Sequence, residues 1–236
     1  MGLRSLIRAG FNRFGYRLVP AHQFTGSHNP FCELLPQWKI VDLERLSNIA
    51  LSIPGMISPR SGQMLYSLCA FQCARGDVVE IGSWQGRSSS FLARAAKDSN
   101  NGRFYAIDHF KGNTGKETSY VIGSQDLSDL KQGFLKNMAR LKLENHVHLL
   151  EMPNIQAATE FEDGSVRFLF IDGDHTYEGV CRDLKLFTRK LCAHAIIVFD
   201  DFSHNFPGLL VAVDQFLKQF PNSLVMSYEN TLVARL

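Results

Sequence analysis

Five apolar runs of strand length recur along the chain, VVEIG (78–82), FYAID (104–108), VHLLEM (147–152), VRFLFID (166–172) and AIIVFDD (195–201), and they alternate with stretches long enough for helices. Near-continuous apolar runs belong to strands buried on both faces, and helix-length connections let each strand return parallel to its predecessor. A parallel sheet covered by helices on both sides follows. The C-terminal piece breaks this rhythm: NSLVMSY and TLVARL are separated only by Glu229 and Asn230, too little chain for a parallel crossover, so they form a hairpin. The expected architecture is an α/β doubly wound, mostly parallel seven-stranded sheet with a C-terminal antiparallel hairpin. Ligands are then expected at the carboxyl ends of the parallel strands.

The segment 1–60 stands apart from this pattern. Residues 1–20 carry Arg4, Arg8, Arg13 and Arg17 with no acidic residue, while Leu3, Leu6, Ile7, Phe11 and Phe14 recur at helical spacing. This basic amphipathic helix suits docking on its own domain or on a second subunit, or peripheral contact with an anionic membrane surface. Residues 20–38 hold three prolines and no periodicity, as a linker or lid does. Helical patterns follow over 39–50 and 61–75, the second with Gly76 in the position of a C-cap. The organisation read from this is an N-terminal appendage of helix, linker and cap over 1–60 and a main domain over 61–236, with a homo-oligomer as the expected assembly.

Composition excludes several classes. At 45% hydrophobic and 20% charged residues the chain has ample material for a buried sheet, and a net charge of +2 gives no electrostatic footprint for nucleic acid. No apolar run approaches the roughly 18 residues of a membrane span, and the first twenty residues lack the apolar block of a signal peptide, so a cytoplasmic protein is expected. Cys69 and Cys73 share a helical apolar face and could approach each other as metal ligands, but free cysteines are so commonly buried that two small core residues are expected.

The chemistry concentrates at strand ends. The first strand runs into EIGSWQGRSSS, where Gly82 and Gly86 flank a short loop that opens a helix, a place where backbone approaches a ligand closely. The pattern is neither a dinucleotide fingerprint nor a Walker A loop. Glu80 beside it would repel a pyrophosphate and favour a ligand bearing an ammonium or sulfonium charge. Asp108 ends the second strand, where an acid reaches ribose hydroxyls in dinucleotide folds. His109 follows, placed to flank an adenine or to lie exposed in the loop. The candidate cofactor contacts are Glu80, Gly82, Ser83, Gly86, Ser88, Asp108 and His109, and Trp84 is either a cofactor wall or a packing residue. Two further strands end in acids: FLFIDGDHTYEG (168–179) brings Asp172, Asp174 and His175, and IIVFDD (196–201) brings Asp200 and Asp201.

Taken together, VVEIGSWQGRSS, Asp108, FIDGDHTYEGVCRDL, IIVFDDF and PGLLVAVDQF resemble the class I S-adenosylmethionine-dependent methyltransferases, and specifically the metal-dependent O-methyltransferases of the macrocin and novobiocin sugar type. The resemblance covers roughly residues 60–236 and implies a Rossmann-like methyltransferase fold with S-adenosyl-L-methionine as cofactor. It implies that Glu80, Gly82 and Gly86 hold the methionine part of the cofactor and Asp108 its ribose. It also implies a metal held by Asp172, Asp200 and Asp201. An all-oxygen acidic site of that kind suits Mg²⁺ or another divalent cation rather than Zn²⁺.

Methyl transfer to an alcohol requires removal of the hydroxyl proton as the oxygen attacks, so a carboxylate or imidazole nearby is needed. Asp174 is the favoured base and His175 the alternative. Tyr177 and Glu178 begin a helix on which Arg182 and Asp183 are expected to be solvated. His204 is a substrate contact or a plain loop residue, and residues 109–126 read as a mobile substrate loop. The acceptor expected is a small-molecule hydroxyl on a sugar, glycoside or phenol. Two other readings compete, a phosphatase of the haloacid-dehalogenase type with Asp172 as nucleophile and a cofactor-binding protein without catalysis. A calcium loop fits less well, since Tyr177 stands where its tight-turn glycine belongs.

Overall fold

The computed structural model describes residues 37–112 and 129–236. The expected basic helix of 1–20, nearly all of the 20–38 linker and positions 113–126 of the expected substrate loop lie outside the described residues.

Two helices, α1 (Gln37–Ala50) and α2 (Pro59–Phe71), precede the first strand, β1 (Asp77–Ile81). Then come α3 (Arg87–Ser99), β2 (Phe104–Ile107), α4 (Leu130–Arg140), β3 (Val147–Leu150), the single turn α5 (Asn154–Ala157) and β4 (Val166–Ile171). The chain closes with α6 (Tyr177–Phe187), β5 (Leu191–Phe199), α7 (Pro207–Leu217), β6 (Leu224–Tyr228) and β7 (Thr231–Arg235). The seven strands form one sheet in the order β3-β2-β1-β4-β5-β7-β6. All pairings from β3 to β5 are parallel, and β7 is antiparallel to both of its neighbours. The hairpin turns at Glu229 and Asn230, with Glu229 at φ +50°.

Strand alternation divides the core into two layers. Val78, Phe168, Phe170, Ile196 and Val198 face one side, and on that side lie the buried residues of α1 to α4, among them Leu43, Leu65, Phe91 and Phe134. Val79, Ile81, Leu169, Ile171, Ile197 and Phe199 face the other, against Val180 and Phe187 of α6 and Leu209, Val213 and Phe216 of α7. Helix α1 falls within the segment 1–60, and its Leu43, Leu46 and Ala50 pack into the same layer as the sheet.

Helix α2 starts at Ser58, whose hydroxyl accepts from the Ser61 N–H at 3.0 Å, with Pro59 in the first turn where its missing N–H costs nothing. The carboxylate of Glu229 accepts from the Ser61 hydroxyl at 2.6 Å and also from the Ser58 hydroxyl, which clips the hairpin turn to this helix end.

Three sequence expectations need correction here. Helix α2 ends at Phe71 with extended backbone at Gln72, so Gly76 is not its cap; Gly76 leads into β1, and a Cβ there would lie 2.3 Å from the Ser165 carbonyl oxygen. Because the helix stops early, Cys69 is buried while Cys73 is exposed beyond it, so only Cys69 is the core residue expected of both. Asp183 is 1% exposed, not solvated, because it lies on the buried stripe of α6 with Gly179, Val180, Leu184 and Phe187. Arg182 is exposed, as expected.

Candidate active site

Sheet register assembles the site. Ile81 is level with Ile107 and Ile171, and Ile171 with Phe199, so Gly82, Asp108, Asp172 and Asp200 leave the carboxyl edge in one row. The ladder runs one residue further at each: the Gly82 N–H donates to Ile107 O at 3.0 Å, Asp172 to Ile81 O at 2.9 Å and Asp200 to Ile171 O at 3.0 Å. Gly82 has φ +88°, and a Cβ there would lie 2.1 Å from the Asp172 carbonyl oxygen, so only glycine lets β1 turn away so close to β4. Gly86, at φ +89°, forms the N-cap of α3 without a side chain, leaving the first N–H groups of that helix facing the loop.

Asp108 braces the glycine loop. Its Oδ2 accepts from the backbone N–H of Ser83 at 3.0 Å and of Trp84 at 2.8 Å, and its Oδ1 accepts from Phe110 N–H at 2.7 Å. Oδ2 therefore has both lone-pair directions occupied, and Oδ1 keeps one for a ligand hydroxyl. Ser83 and Ser88 are buried, and half-buried His109 accepts the Lys111 N–H on Nδ1 at 3.0 Å. Trp84 is half-buried at φ +42° and packs against the core, with its indole N–H unpartnered among the described residues.

Glu80 lies beneath this loop, fully buried on the α3 side of β1, and accepts a hydrogen bond from the Ser89 hydroxyl. Burial pushes its carboxyl up to about 7, against the opposing pull of serine hydroxyls. Ser89 was not singled out from sequence; its place one turn into α3, on the face toward β1, is the signal that would have found it.

The acidic strand ends meet beside this loop. Asp172, His175 and Asp201 each offer a ligand atom, and these atoms all lie within 4.8 Å of one another. His175 Nε2 is 3.6 Å from Asp172 Oδ1 and Nδ1 is 3.7 Å from Asp201 Oδ2, while the ring packs on Phe206 with centroids 4.8 Å apart. Asp201 adopts φ +53°, a left-handed conformation that aspartate tolerates better than most residues. Asp200, which sequence placed in the metal set, is buried and does not join this group. Burial, and then the Asp201 carboxylate, raise Asp172 well above the usual carboxylate range; burial, and then Asp172 and Asp201, do the same for Asp200. Carboxylates so crowded, beside a buried imidazole whose nitrogens have no hydrogen-bond partner among the described residues, make a donor set that fits a divalent cation.

Asp174 turns toward α6. Its Oδ1 accepts the Thr176 N–H at 3.0 Å, and its carboxylate covers Gly179, where a Cβ would lie 2.5 Å from Asp174 Cγ. Thr176 caps α6 by accepting from Gly179 N–H at 3.1 Å. Under this loop lies Asp183, raised to about 6 by burial, its Oδ1 accepting from Asn154 Nδ2 at 2.7 Å. Tyr177 opens α6 and is exposed, as is His204.

Residues 79–202, more than half of the chain, match a family described as a methyltransferase domain. TomG, an O-methyltransferase from Streptomyces achromogenes solved with S-adenosylmethionine, is 14% identical and superposes with a TM-score of 0.59 over 92% of this chain and 99% of that one. An O-methyltransferase from Bacillus cereus solved with S-adenosylhomocysteine is 16% identical, with a TM-score of 0.57 over 92% and 100%. The O-methyltransferase NovP is 16% identical, with a TM-score of 0.53 over 83% and 79%. The fold is therefore that of the class I S-adenosylmethionine-dependent methyltransferases. The chain belongs to the methyltransferase-domain family, and the phosphatase and calcium-loop readings fall away.

Proposed function

We propose that the protein is an S-adenosylmethionine-dependent O-methyltransferase that methylates a hydroxyl of a sugar, glycoside or phenol with the help of a divalent cation, Mg²⁺ being the expected ion for oxygen donors. The observation that carries this reading is the meeting of two acidic strand ends beside the glycine loop at one sheet edge. Glu80 and the loop from Gly82 to Ser88, with Ser83 and Gly86 between them, would hold the methionine part of the cofactor. Asp108 would take the ribose hydroxyls and His109 would flank the adenine. Asp172 and Asp201 would hold the cation, with Asp200 behind them.

When bound, S-adenosylmethionine supplies an electrophilic methyl group and the cation polarises the acceptor oxygen, which makes its proton easier to lose. The chain's own contribution is placement and proton removal. The glycine loop and the acidic strand ends leave the sheet in one row, so donor and acceptor would be held against a rigid edge. Asp174 would accept the acceptor's hydroxyl proton, its carboxylate held in place by the Thr176 N–H. The test is incubation of the pure protein with S-adenosylmethionine, Mg²⁺ and a panel of glycosides, phenols and nucleotide sugars, read as a methyl mass gain. Chelation should abolish that gain and spare cofactor binding. Full transfer in excess chelator would overturn the cation's role, and cofactor binding without transfer to any hydroxyl would favour a non-catalytic protein.

A further inference from the structure

The imidazole of His175 is 4% exposed, and neither ring nitrogen has a hydrogen-bond partner among the described residues. A buried polar group left unsatisfied is destabilising, and an ion shared with the neighbouring carboxylates would take up one of these two nitrogens. The separations of 3.6 Å to Asp172 Oδ1 and 3.7 Å to Asp201 Oδ2 are too long for hydrogen bonds. They are short enough for these side chains to share one ion, since one ligand atom from each lies within 4.8 Å of the others. Phe206 holds the ring at a tilt of 55°, which fixes the direction of its nitrogens.

Backbone conformation separates the two adjacent aspartates. Asp200 continues the β5 ladder through its N–H, whereas Asp201 takes φ +53°, and only Asp201 joins His175 and Asp172.

We propose that His175 is a nitrogen ligand in an Asp172, His175 and Asp201 centre with Asp200 outside it, and that the site takes a first-row transition cation such as Mn²⁺ in preference to Mg²⁺. This rests on the cation-dependent reading above and corrects its expected ion. Mg²⁺ binds oxygen donors almost exclusively and keeps much of its water, whereas imidazole is a good ligand for first-row transition ions. Held as a ligand, His175 is not free to act as the base, which leaves proton removal to Asp174.

The test uses the full chain loaded with Mn²⁺ alone. Pulsed electron paramagnetic resonance should show nitrogen coupling to the ion in the wild type and none in His175→Ala. Competition should show Mn²⁺ held at least about tenfold more tightly than Mg²⁺, a preference lost in His175→Ala and kept in Asp200→Asn. Absence of nitrogen coupling in the wild type overturns the assignment, and that spectrum needs no variant to fold. Coupling that survives in His175→Ala, or Mn²⁺ binding abolished by Asp200→Asn, overturns it equally. Cofactor binding is measured separately by calorimetry: its failure with nitrogen coupling intact sinks the methyltransferase reading and leaves the ligand assignment standing.

Discussion

Glu80 and Asp174 show how single carboxylates here are set by their surroundings. Glu80 is held near pKa 7 in the fold, above the ordinary 4.5, so between these values the native state keeps a proton that the unfolded chain has released. Stability must then fall as pH rises through that window, and the loss stays in place above it. Other buried acids, Asp172, Asp183 and Asp200, are raised too and share this sign, so the informative measurement is a difference. Glu80→Gln should flatten the decline in ligand-free melting temperature between pH 5 and 8 and leave the variant more stable than wild type at pH 8. It should also bind the cationic cofactor more weakly at that pH; equal cofactor affinity would remove Glu80 from the methionine site. Asp174→Asn should keep cofactor and cation binding while slowing kcat by roughly the 10²–10⁴-fold of a lost general base. Gly179→Ala probes the same carboxylate by steric means, since its Cβ would lie 2.6 Å from Asp174 Oδ2. Because Asp174 Cβ is also 2.7 Å from that position, the loop must shift and some stability goes with it, so the expected result is a kcat that falls in a variant still folded at the assay temperature. Unchanged turnover in both variants would take the base role from Asp174.

At the scale of elements, a buried arginine joins the two sides of the N-terminal sheet edge. Arg167 in β4 is fully buried and donates through Nε to the carbonyls of Gly76 and Asn101, both at 2.9 Å, and through Nη1 to that of Cys69 at 2.5 Å. Cys69 is in the last turn of α2, where unpaired carbonyls and the helix dipole favour a cation. Arg167→Met should cost about 1–3 kcal/mol in a urea melt by leaving buried acceptors unmet, with cofactor affinity unchanged. An unaltered midpoint would mean the carbonyls find other donors. Nothing local in VRFLFID announces this role, because the partners come from three separate places in the sequence. What was legible came from period and length: the five apolar runs are all strands, and the two-residue gap at Glu229 and Asn230 is a hairpin turn. The insertion of β7 between β5 and β6 was not legible, since strand composition does not name a pairing partner. The burial of Asp183 is legible in the spacing of Gly179, Val180, Leu184 and Phe187, which puts it on the apolar stripe of α6 despite its charge. The choice between Asp200 and Asp201 was hidden for a different reason, since it depends on one positive φ after the strand ends.

For the whole molecule, the candidate cofactor, cation and base residues all lie between Glu80 and Asp201, in or beside the carboxyl ends of the parallel strands, and the nearer part of the N-terminal segment, α1, is packed into the core through Leu43, Leu46 and Ala50. Residues 1–20 are separated from α1 in sequence by the proline-containing stretch, and their four arginines and helically spaced apolar residues would suit a docking surface. Removing residues 1–20 should therefore spare the site. A cofactor present at about 100 times its Kd stabilises the native state by about 2.7 kcal/mol, and for a chain of this size each kcal/mol moves Tm by about 2–4 °C. The full-length and shortened chains should show the same cofactor-induced shift within that scale, measured side by side in one buffer. What should change is the oligomer size by light scattering, or retention on anionic vesicles, with the second effect weakening as salt screens the arginines. Loss of the cofactor-induced shift, or a shortened chain that does not fold, would place residues 1–20 in the core and move the boundary of the main domain to the N-terminus.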